Sequence, residues 1–141
     1  MQHFESLKKM YSLAPIHQFY QGIELLLEPN KAEIHLNIDE RYFHGGMSKQ
    51  GSLYFKLLDD AAYFACQSVI EDFFIVTTNF NVNLLRPILK GKIYAKGEVD
   101  FISQNLFTAS SKLYDEKGRL CGTGQGQFVK SKLALSAVKD Y

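Results

Sequence analysis

The chain has 141 residues, of which 46% are hydrophobic and 13% aromatic, as expected for one globular domain with a core of its own. Sixteen Lys and Arg residues against fifteen Asp and Glu give a net charge of +1, and scattered basic residues argue against nucleic-acid binding. Two cysteines without metal-ligand spacing, and the lack of a signal peptide or a long apolar run, predict a cytoplasmic protein that has no membrane partner.

The first part of the chain is predicted to form a short helix and a β-hairpin. Residues 4–13 are amphipathic and favour a helix, and residues 18–28 favour a strand. The dipeptide at 29–30 indicates a turn. Apolar and polar residues then alternate over 31–39, which predicts a half-buried strand as the second arm of the hairpin. The buried face of this strand would carry Ala32, Ile34, Leu36 and Ile38.

A long helix and a run of strands follow. Residues 40–51 are predicted as a loop, and residues 52–70, which contain neither Gly nor Pro, as a helix long enough to cross a small sheet. Strands are predicted at 73–85, 91–102, 106–114 and 119–130, with a loose tail at 131–141. Because short turns join successive strands, the sheet should be antiparallel, and one apolar helix against it makes an α+β fold.

The long helix carries two carboxylates in an apolar setting. Most of its circumference is apolar, which is typical of a buried helix, and its polar residues form one stripe about 100° wide. The stripe consists of Ser52, Lys56, Asp59, Asp60, Tyr63 and Gln67. A buried carboxylate suits acid–base or nucleophilic chemistry. A solvated stripe with an ion pair from Lys56 to Asp60 explains the same pattern, so the helix alone leaves both interpretations open.

The segment QGSLYFKLLDDAAYFACQS, from Gln50 to Ser68, resembles the motif of the hotdog-fold acyl-CoA thioesterases of the phenylacetyl-CoA type. The resemblance extends through FNVNLLRP and LCGTGQGQFV and covers about residues 15–130. It implies a single hotdog domain over 1–141, with an antiparallel sheet wrapped around one long central helix. It also implies hydrolysis of an apolar or aromatic acyl-CoA, with no cofactor beyond the coenzyme A of the substrate.

The family motif has an Asn, a His-Gly-Gly six residues later, and an Asp nine residues after that His. The literal His-Gly-Gly at 44–46 would place Leu53 at the Asp position, so we align the motif on Asp59 instead. In this register His44 stands at the Asn position. Gln50 stands at the His position, followed by Gly51 and Ser52.

The resemblance then implies a role for each matched residue. Asp59 would be the nucleophile or general base, and Thr77 would hold the attacking water. Gly51 would donate its backbone N–H to the developing oxyanion at the helix N-terminus. His44 and Gln50 can still donate hydrogen bonds in place of the family's Asn and His. Further substrate contacts are assigned to Ser52, Tyr63, Arg86 and Lys90.

The spacing of the two main groups predicts an oligomer. Gly51 and Asp59 are about 12 Å apart along one helix, too far to grip the same carbonyl group. The two groups must therefore come from different subunits. As in the family, we expect a homodimer or homotetramer with its site at the subunit interface.

Several residues have a second interpretation. Tyr63 either orients Asp59 or packs, and Arg86 and Lys90 either meet the phosphates of coenzyme A or mark a solvated strand end. Alternating glycines on the last strand indicate a bend over the helix, which we prefer, or room for a pantetheine arm. These are Gly122, Gly124 and Gly126. No metal site is predicted, because no ligand spacing is present.

Two other functions remain open. The departures at His44, Gln50 and Ser52 favour a hotdog domain that binds acyl-CoA as a sensor or carrier without hydrolysing it. A hotdog hydratase or dehydratase pairs a His with a carboxylate. His44 keeps this alternative open, although a helical Asp fits a thioesterase better.

Overall fold

The computed structural model of the chain describes residues 2–38, 51–88 and 90–141. The first half contains α1 (Gln2–Leu13), a 3-10 helix (Pro15–Phe19), β1 (Glu24–Glu28), β2 (Lys31–Asn37) and α2 (Gly51–Gln67). The second half contains β3 (Phe73–Leu84), β4 (Lys92–Ile102), β5 (Phe107–Tyr114), β6 (Leu120–Ala134) and a 3-10 helix (Leu135–Ala137). The predicted α+β class is confirmed.

All six strands form one antiparallel sheet in the order β1-β2-β4-β5-β6-β3. The hairpin between β1 and β2 turns at Asn30, which adopts a φ of 68° that Asn tolerates better than most residues. The sheet wraps around α2, which contacts every strand. β3 lies at one edge of the sheet although it directly follows α2 in the chain, so its outer side has no neighbouring strand within the described part of the chain.

The helix packs against the sheet at very short range. A Cβ atom at Gly97 of β4 would lie 2.1 Å from the carbonyl oxygen of Ala61, so only glycine fits there. On β5, the hydroxyl of Ser111 donates a hydrogen bond to the carbonyl oxygen of Leu58 at 2.7 Å. The apolar circumference of α2 is buried as expected. Its buried apolar residues are Leu53, Tyr54, Leu57, Leu58, Ala61, Ala62, Phe64, Ala65 and Cys66.

The first strand is shorter than the sequence predicts. Residues 18–28 were expected to be extended, but β1 begins only at Glu24. Pro15 starts a 3-10 helix in which His17 is buried, and the His17 Nδ1 lies 2.5 Å from the carbonyl oxygen of Tyr11. This contact folds the chain back onto α1 before the strand can begin.

The long helix also ends early, at Gln67 rather than residue 70. The Gln67 side chain is buried and bonds to the backbone of β3: its amide donates to Phe73 O at 3.0 Å, and its Oε1 accepts from the N–H of Ile75 at 3.0 Å. These bonds turn the chain into β3 within a few residues.

The prediction of a loose tail at 131–141 is wrong. β6 continues to Ala134, Leu135 is fully buried, and its N–H donates to the carbonyl oxygen of Asp72 at 3.0 Å. The Tyr141 hydroxyl lies 2.6 Å from the Nδ1 of His3, so the chain end is fastened to α1. The loop predicted at 40–51 lies outside the described residues except for Gly51, which begins α2.

Candidate active site

Asp59 lies about two turns into α2, on the side of the helix that faces β3. The hydroxyl of Thr77 on β3 donates a hydrogen bond to Asp59 Oδ1 at 3.2 Å. Partial burial, and then the negative charge of Asp60, raise the pKa of Asp59 to about 6, while the Thr77 hydrogen bond and the charge of Lys56 act in the opposite direction. A carboxyl group that ionises near pH 6 is suited to accept a proton at neutral pH.

Asp60 lies in a different environment from its neighbour. Its Oδ2 accepts hydrogen bonds from the Tyr11 hydroxyl and from the Lys56 ammonium group, both at 2.7 Å. The side chains of Lys56 and Asp60 are only 16% and 18% exposed. The expected ion pair is therefore formed, but α1 covers it, so it is not part of a solvated surface.

A cavity of about 550 Å³ opens beside Asp59. Its walls are α1 with the following 3-10 helix, α2, β3 and residues 138–140. Most of the lining is apolar, including Met10, Leu13, Ile16, Phe64, Phe74 and Val76. An apolar cavity with a few polar groups on one wall is the usual form of a small-molecule site. A second cavity of about 580 Å³ lies on the far side of the fold between β1, β2, β4 and β5, and no residue of α2 lines it.

Tyr63 lines the same cavity as Asp59 and Thr77, as its assignment to substrate binding requires. Its hydroxyl, however, donates to the carbonyl oxygen of Ile75 at 2.6 Å and lies 3.2 Å from Gln67 Oε1. These bonds hold the ring against β3. Tyr63 therefore packs and does not orient Asp59 through a hydrogen bond.

The other assigned residues lie elsewhere. Gly51 is the first residue of α2 and Ser52, which is exposed, the second, so both are about two turns from Asp59. Arg86 is exposed at the end of β3, and Lys90 lines a separate small cavity beside Asp115. Neither cation lines the cavity beside Asp59. His44 and Gln50 lie outside the described residues.

Sequence reasoning missed the contribution of α1. Tyr11 is 49 positions away from Asp60, and nothing in the local pattern of α1 links the two. The only local sign was that Tyr11 lies on the apolar side of an amphipathic helix, which predicts burial and no specific partner.

The alternating glycines of β6 have a packing role. A Cβ atom at Gly124 or Gly126 would lie 2.6 Å or 2.2 Å from the ring of Phe80, which fills the space above both residues. The glycines therefore make room for the ring of Phe80, which is neither of the two roles that the sequence suggests.

Within residues 2–38, 51–88 and 90–141, no three His, Cys, Asp or Glu side chains are grouped to hold a metal ion. None of the helices in these ranges is long and apolar enough to cross a membrane.

A family profile described as the thioesterase superfamily matches residues 50–122, just over half of the chain. The chain belongs to the thioesterase superfamily. The matched segment contains α2 with Asp59 and β3 with Thr77, whereas Tyr11 precedes it. A search of curated proteins gave no match to this chain.

Solved structures show the same fold. The PaaI protein from the phenylacetic acid degradation operon of Escherichia coli is similar with a TM-score of 0.84 and 17% identity, over 94% of this chain and 96% of that chain. A thioesterase family protein of Silicibacter pomeroyi gives 0.82 and 20%, over 90% and 96%. A thioesterase of Haemophilus influenzae gives 0.77 and 20%, over 89% and 87%. At these identities the likeness establishes the fold, and the predicted hotdog fold is confirmed.

Proposed function

We propose that this member of the thioesterase superfamily hydrolyses an apolar or aromatic acyl-CoA to the free acid and coenzyme A, with Asp59 as the catalytic carboxylate. The observation that carries the proposal is the position of Asp59: partly buried, bonded to Thr77, and on the wall of an apolar cavity. Membership of the superfamily supports the hydrolysis of a thioester, and the cavity supports the nature of the acyl group.

The chemistry needs Asp59 in its ionised form. As a general base, the carboxylate takes a proton from a water molecule held near the Thr77 hydroxyl while the water oxygen adds to the thioester carbonyl carbon. The C–S bond then breaks, and the proton returns from Asp59 to the departing thiolate. Direct attack by the carboxylate, giving an anhydride that water hydrolyses, uses the same group and the same charge state.

The oxyanion formed in this step needs donors, and Gly51 is proposed to supply one from a second subunit. The first N–H groups of a helix have no partner within the helix and carry its positive dipole end. A Cβ atom at Gly51 would lie 3.4 Å from Leu84 Cδ1, so the helix start is beside the end of β3. Thr77, whose hydroxyl bonds to Asp59 on α2, is seven residues before Leu84 on that strand.

The edge strand offers a way to bring the two groups together in a homodimer. β3 has 12 residues and an unpaired outer side within the described chain, and such long edges are usually covered. Antiparallel pairing of β3 with its copy, centred between Phe80 and Asn81, would place Leu84 of one subunit opposite Thr77 of the other. Gly51 of the first subunit would then approach Asp59 of the second.

The acyl group is proposed to occupy the cavity beside Asp59. Its volume of about 550 Å³ is in the range of small-molecule sites, roughly 300–1,000 Å³. Aromatic and aliphatic walls favour a ring or a medium-length chain over an acetyl group. The similar E. coli PaaI protein comes from the phenylacetic acid degradation operon, so phenylacetyl-CoA is included among the thioesters to be tested. The exposed Arg86 and Lys90 remain candidates for the phosphates of coenzyme A.

The first test is thiol release from acetyl-, hexanoyl-, benzoyl- and phenylacetyl-CoA by wild type and by Asp59→Ala. We expect wild type to prefer the larger acyl groups and Asp59→Ala to lose about two orders of magnitude or more in kcat/KM, because the base is gone. Asp72→Ala is the control, since Asp72 is an exposed aspartate outside the cavity. Undiminished hydrolysis by Asp59→Ala would overturn the assignment of the carboxylate.

A second candidate is an acyl-CoA-binding protein without turnover. The departures from the motif at His44, Gln50 and Ser52 favour it. Calorimetric titration with a non-hydrolysable thioether analogue of hexanoyl-CoA separates the two candidates: binding of the analogue without thiol release from any of the four thioesters would replace hydrolysis with binding.

A further inference from the structure

The charged cluster next to Asp59 consists of Asp60 and Lys56 on α2 together with Tyr11 on α1. We propose that Asp60, Lys56 and Tyr11, which form one hydrogen-bonded cluster beside Asp59, act as positioning residues that set the charge of the Asp59 carboxyl group. This inference rests on the proposed function, which it deepens by assigning residues that act through Asp59.

The geometry fixes the charge of Asp60 in place. One oxygen, Oδ2, holds both the Tyr11 hydroxyl and the Lys56 ammonium group at 2.7 Å. Both charged side chains are more than four-fifths buried, so water screens them less than it would screen a surface pair. Asp60 and Lys56 can therefore act on the adjacent Asp59 with appreciable strength and opposite sign.

Tyr11 is held by aromatic packing and not only by its hydrogen bond. Its ring lies edge-on to Phe64 and to His17, with centroids 5.1 and 4.2 Å away, and the residue is 5% exposed. The hydroxyl is thus fixed by the docking of α1 onto α2. Because Tyr11 precedes the segment that matches the superfamily, this link is a feature of this chain that the family match does not supply.

The other titratable groups around Asp59 do not duplicate this arrangement. Those on the cavity wall come from three elements: Tyr63 on α2, His17 on the 3-10 helix, and Lys139 with Asp140 near the chain end. Burial and then the charge of Lys56 lower the pKa of His17, so its ring is neutral at pH 7. Lys139 and Asp140 carry opposite charges. Among the residues that line the cavity, Asp60 and Lys56 therefore form the charged pair that shares a helix with Asp59.

The test compares the pH dependence of kcat/KM for hexanoyl-CoA in Asp60→Asn and Lys56→Met. We expect the acid limb to move to lower pH by about one unit in Asp60→Asn, which removes a negative charge, and to higher pH by a similar amount in Lys56→Met. Tyr11→Phe keeps the ring and removes a donor to Asp60, so a smaller upward shift is expected. A purely structural role would lower the rate at every pH without moving the midpoints in opposite directions.

Matched controls come from the exposed pair Lys130–Asp72, whose charged atoms are 2.8 Å apart, close to the 2.7 Å between Lys56 and Asp60. Asp72→Asn and Lys130→Met change the net charge by the same amounts and should leave the midpoint where it is in wild type. The double variant Lys56→Met/Asp60→Asn keeps the net charge, and its midpoint should lie between those of the single variants.

A readout without turnover separates this inference from the proposed function. Aspartate labelled with ¹³C at the side-chain carboxyl lets the Asp59 titration be followed by NMR in each variant. Opposite shifts of that titration without any thioester hydrolysis would support the inference and reject the proposed function. Hydrolysis with unchanged Asp59 midpoints in Asp60→Asn and Lys56→Met would overturn the inference. If either charge variant fails to fold, the Asp59 titration in Tyr11→Phe decides: an upward shift supports the inference and no shift overturns it.

Discussion

The raised pKa of Asp59 has a consequence for stability. The carboxyl group titrates near pH 6 in the folded chain and near 3.8 when unfolded, so the folded state binds more protons between these values. The free energy of unfolding should therefore fall as the pH rises through this window. Above pH 6 the folded protein carries a charge in a poorly solvated place, and that cost persists.

We accordingly expect Asp59→Asn to stabilise the protein at pH 8 by about 1–2 kcal/mol, after allowance for partial exposure. At about pH 3 the variant should match wild type closely, because the wild-type carboxyl is then mostly protonated in both states. Urea denaturation at the two pH values measures the difference.

The comparison variant is Asp72→Asn. The ion pair with Lys130 lowers the pKa of Asp72, so its charge is favoured in the folded state and its removal should not stabilise the protein. Equal stabilisation of Asp59→Asn at both pH values would show that relief of a buried charge is not the cause.

At the scale of single residues, part of the candidate site can be predicted from the sequence and part cannot. The resemblance to the family motif singles out Asp59 and Thr77 as candidates, whereas the helix alone leaves both a catalytic carboxylate and a solvated stripe open. The Lys56–Asp60 pair follows from helical spacing. Its burial does not, because the covering residue, Tyr11, comes from a helix whose docking is decided by tertiary packing.

At the scale of elements, the contact between α2 and β4 depends on one missing side chain. Gly97→Ala would place a methyl group 2.1 Å from the carbonyl oxygen of Ala61, and two backbone segments would have to separate. We expect a loss of about 2 kcal/mol or more in the free energy of unfolding, measured by chemical denaturation. Lys96→Ala is the control, because this neighbouring side chain is exposed.

A change in Gly97→Ala no larger than about 0.5 kcal/mol would mean that helix and sheet can move apart freely. In that case the burial of Asp59, which depends on the seating of α2, would be less fixed than the short contacts indicate.

The elements themselves follow closely from sequence patterns, since period-two alternation marks β2 and an apolar circumference marks α2. The errors occur where distant contacts decide. Residues 18–23 have strand-like composition, yet His17 binds back to α1 and delays β1. Residues 131–141 are predicted to be a loose tail, yet Leu135 enters the core and the Tyr141 hydroxyl lies beside His3. Local patterns contain no information on such partners.

At the scale of the whole molecule, the proposed site needs two subunits, and mixing experiments can test this. Gly51→Pro removes one backbone N–H while keeping a residue that is favoured at the first helical position. Asp59→Ala removes the carboxylate. Each variant alone should be inactive, but co-refolded mixtures should recover about a quarter of wild-type activity, since half of the dimers are mixed and each mixed dimer has one intact site.

Thiol release from phenylacetyl-CoA measures the recovery. A mixture of Asp59→Ala with Asp59→Asn lacks an intact site in every pairing and should stay inactive. The mixture of Gly51→Pro with Asp59→Ala could also stay inactive although both variants form dimers. In that case the Gly51 N–H and the Asp59 carboxylate act within one subunit, or Gly51 has no part in the reaction.

The ring of Phe80 above Gly124 and Gly126 has an evolutionary consequence. A side chain at Gly124 or Gly126 would enter the volume that the Phe80 ring fills, so neither glycine can change while the ring is present. A Cβ atom at 126 would also lie 2.8 Å from the carbonyl oxygen of Asn79, so that position should keep its glycine even where the ring is lost. Among related sequences, a side chain at 124 should therefore be found only where position 80 has lost its ring, and these two columns of an alignment should covary.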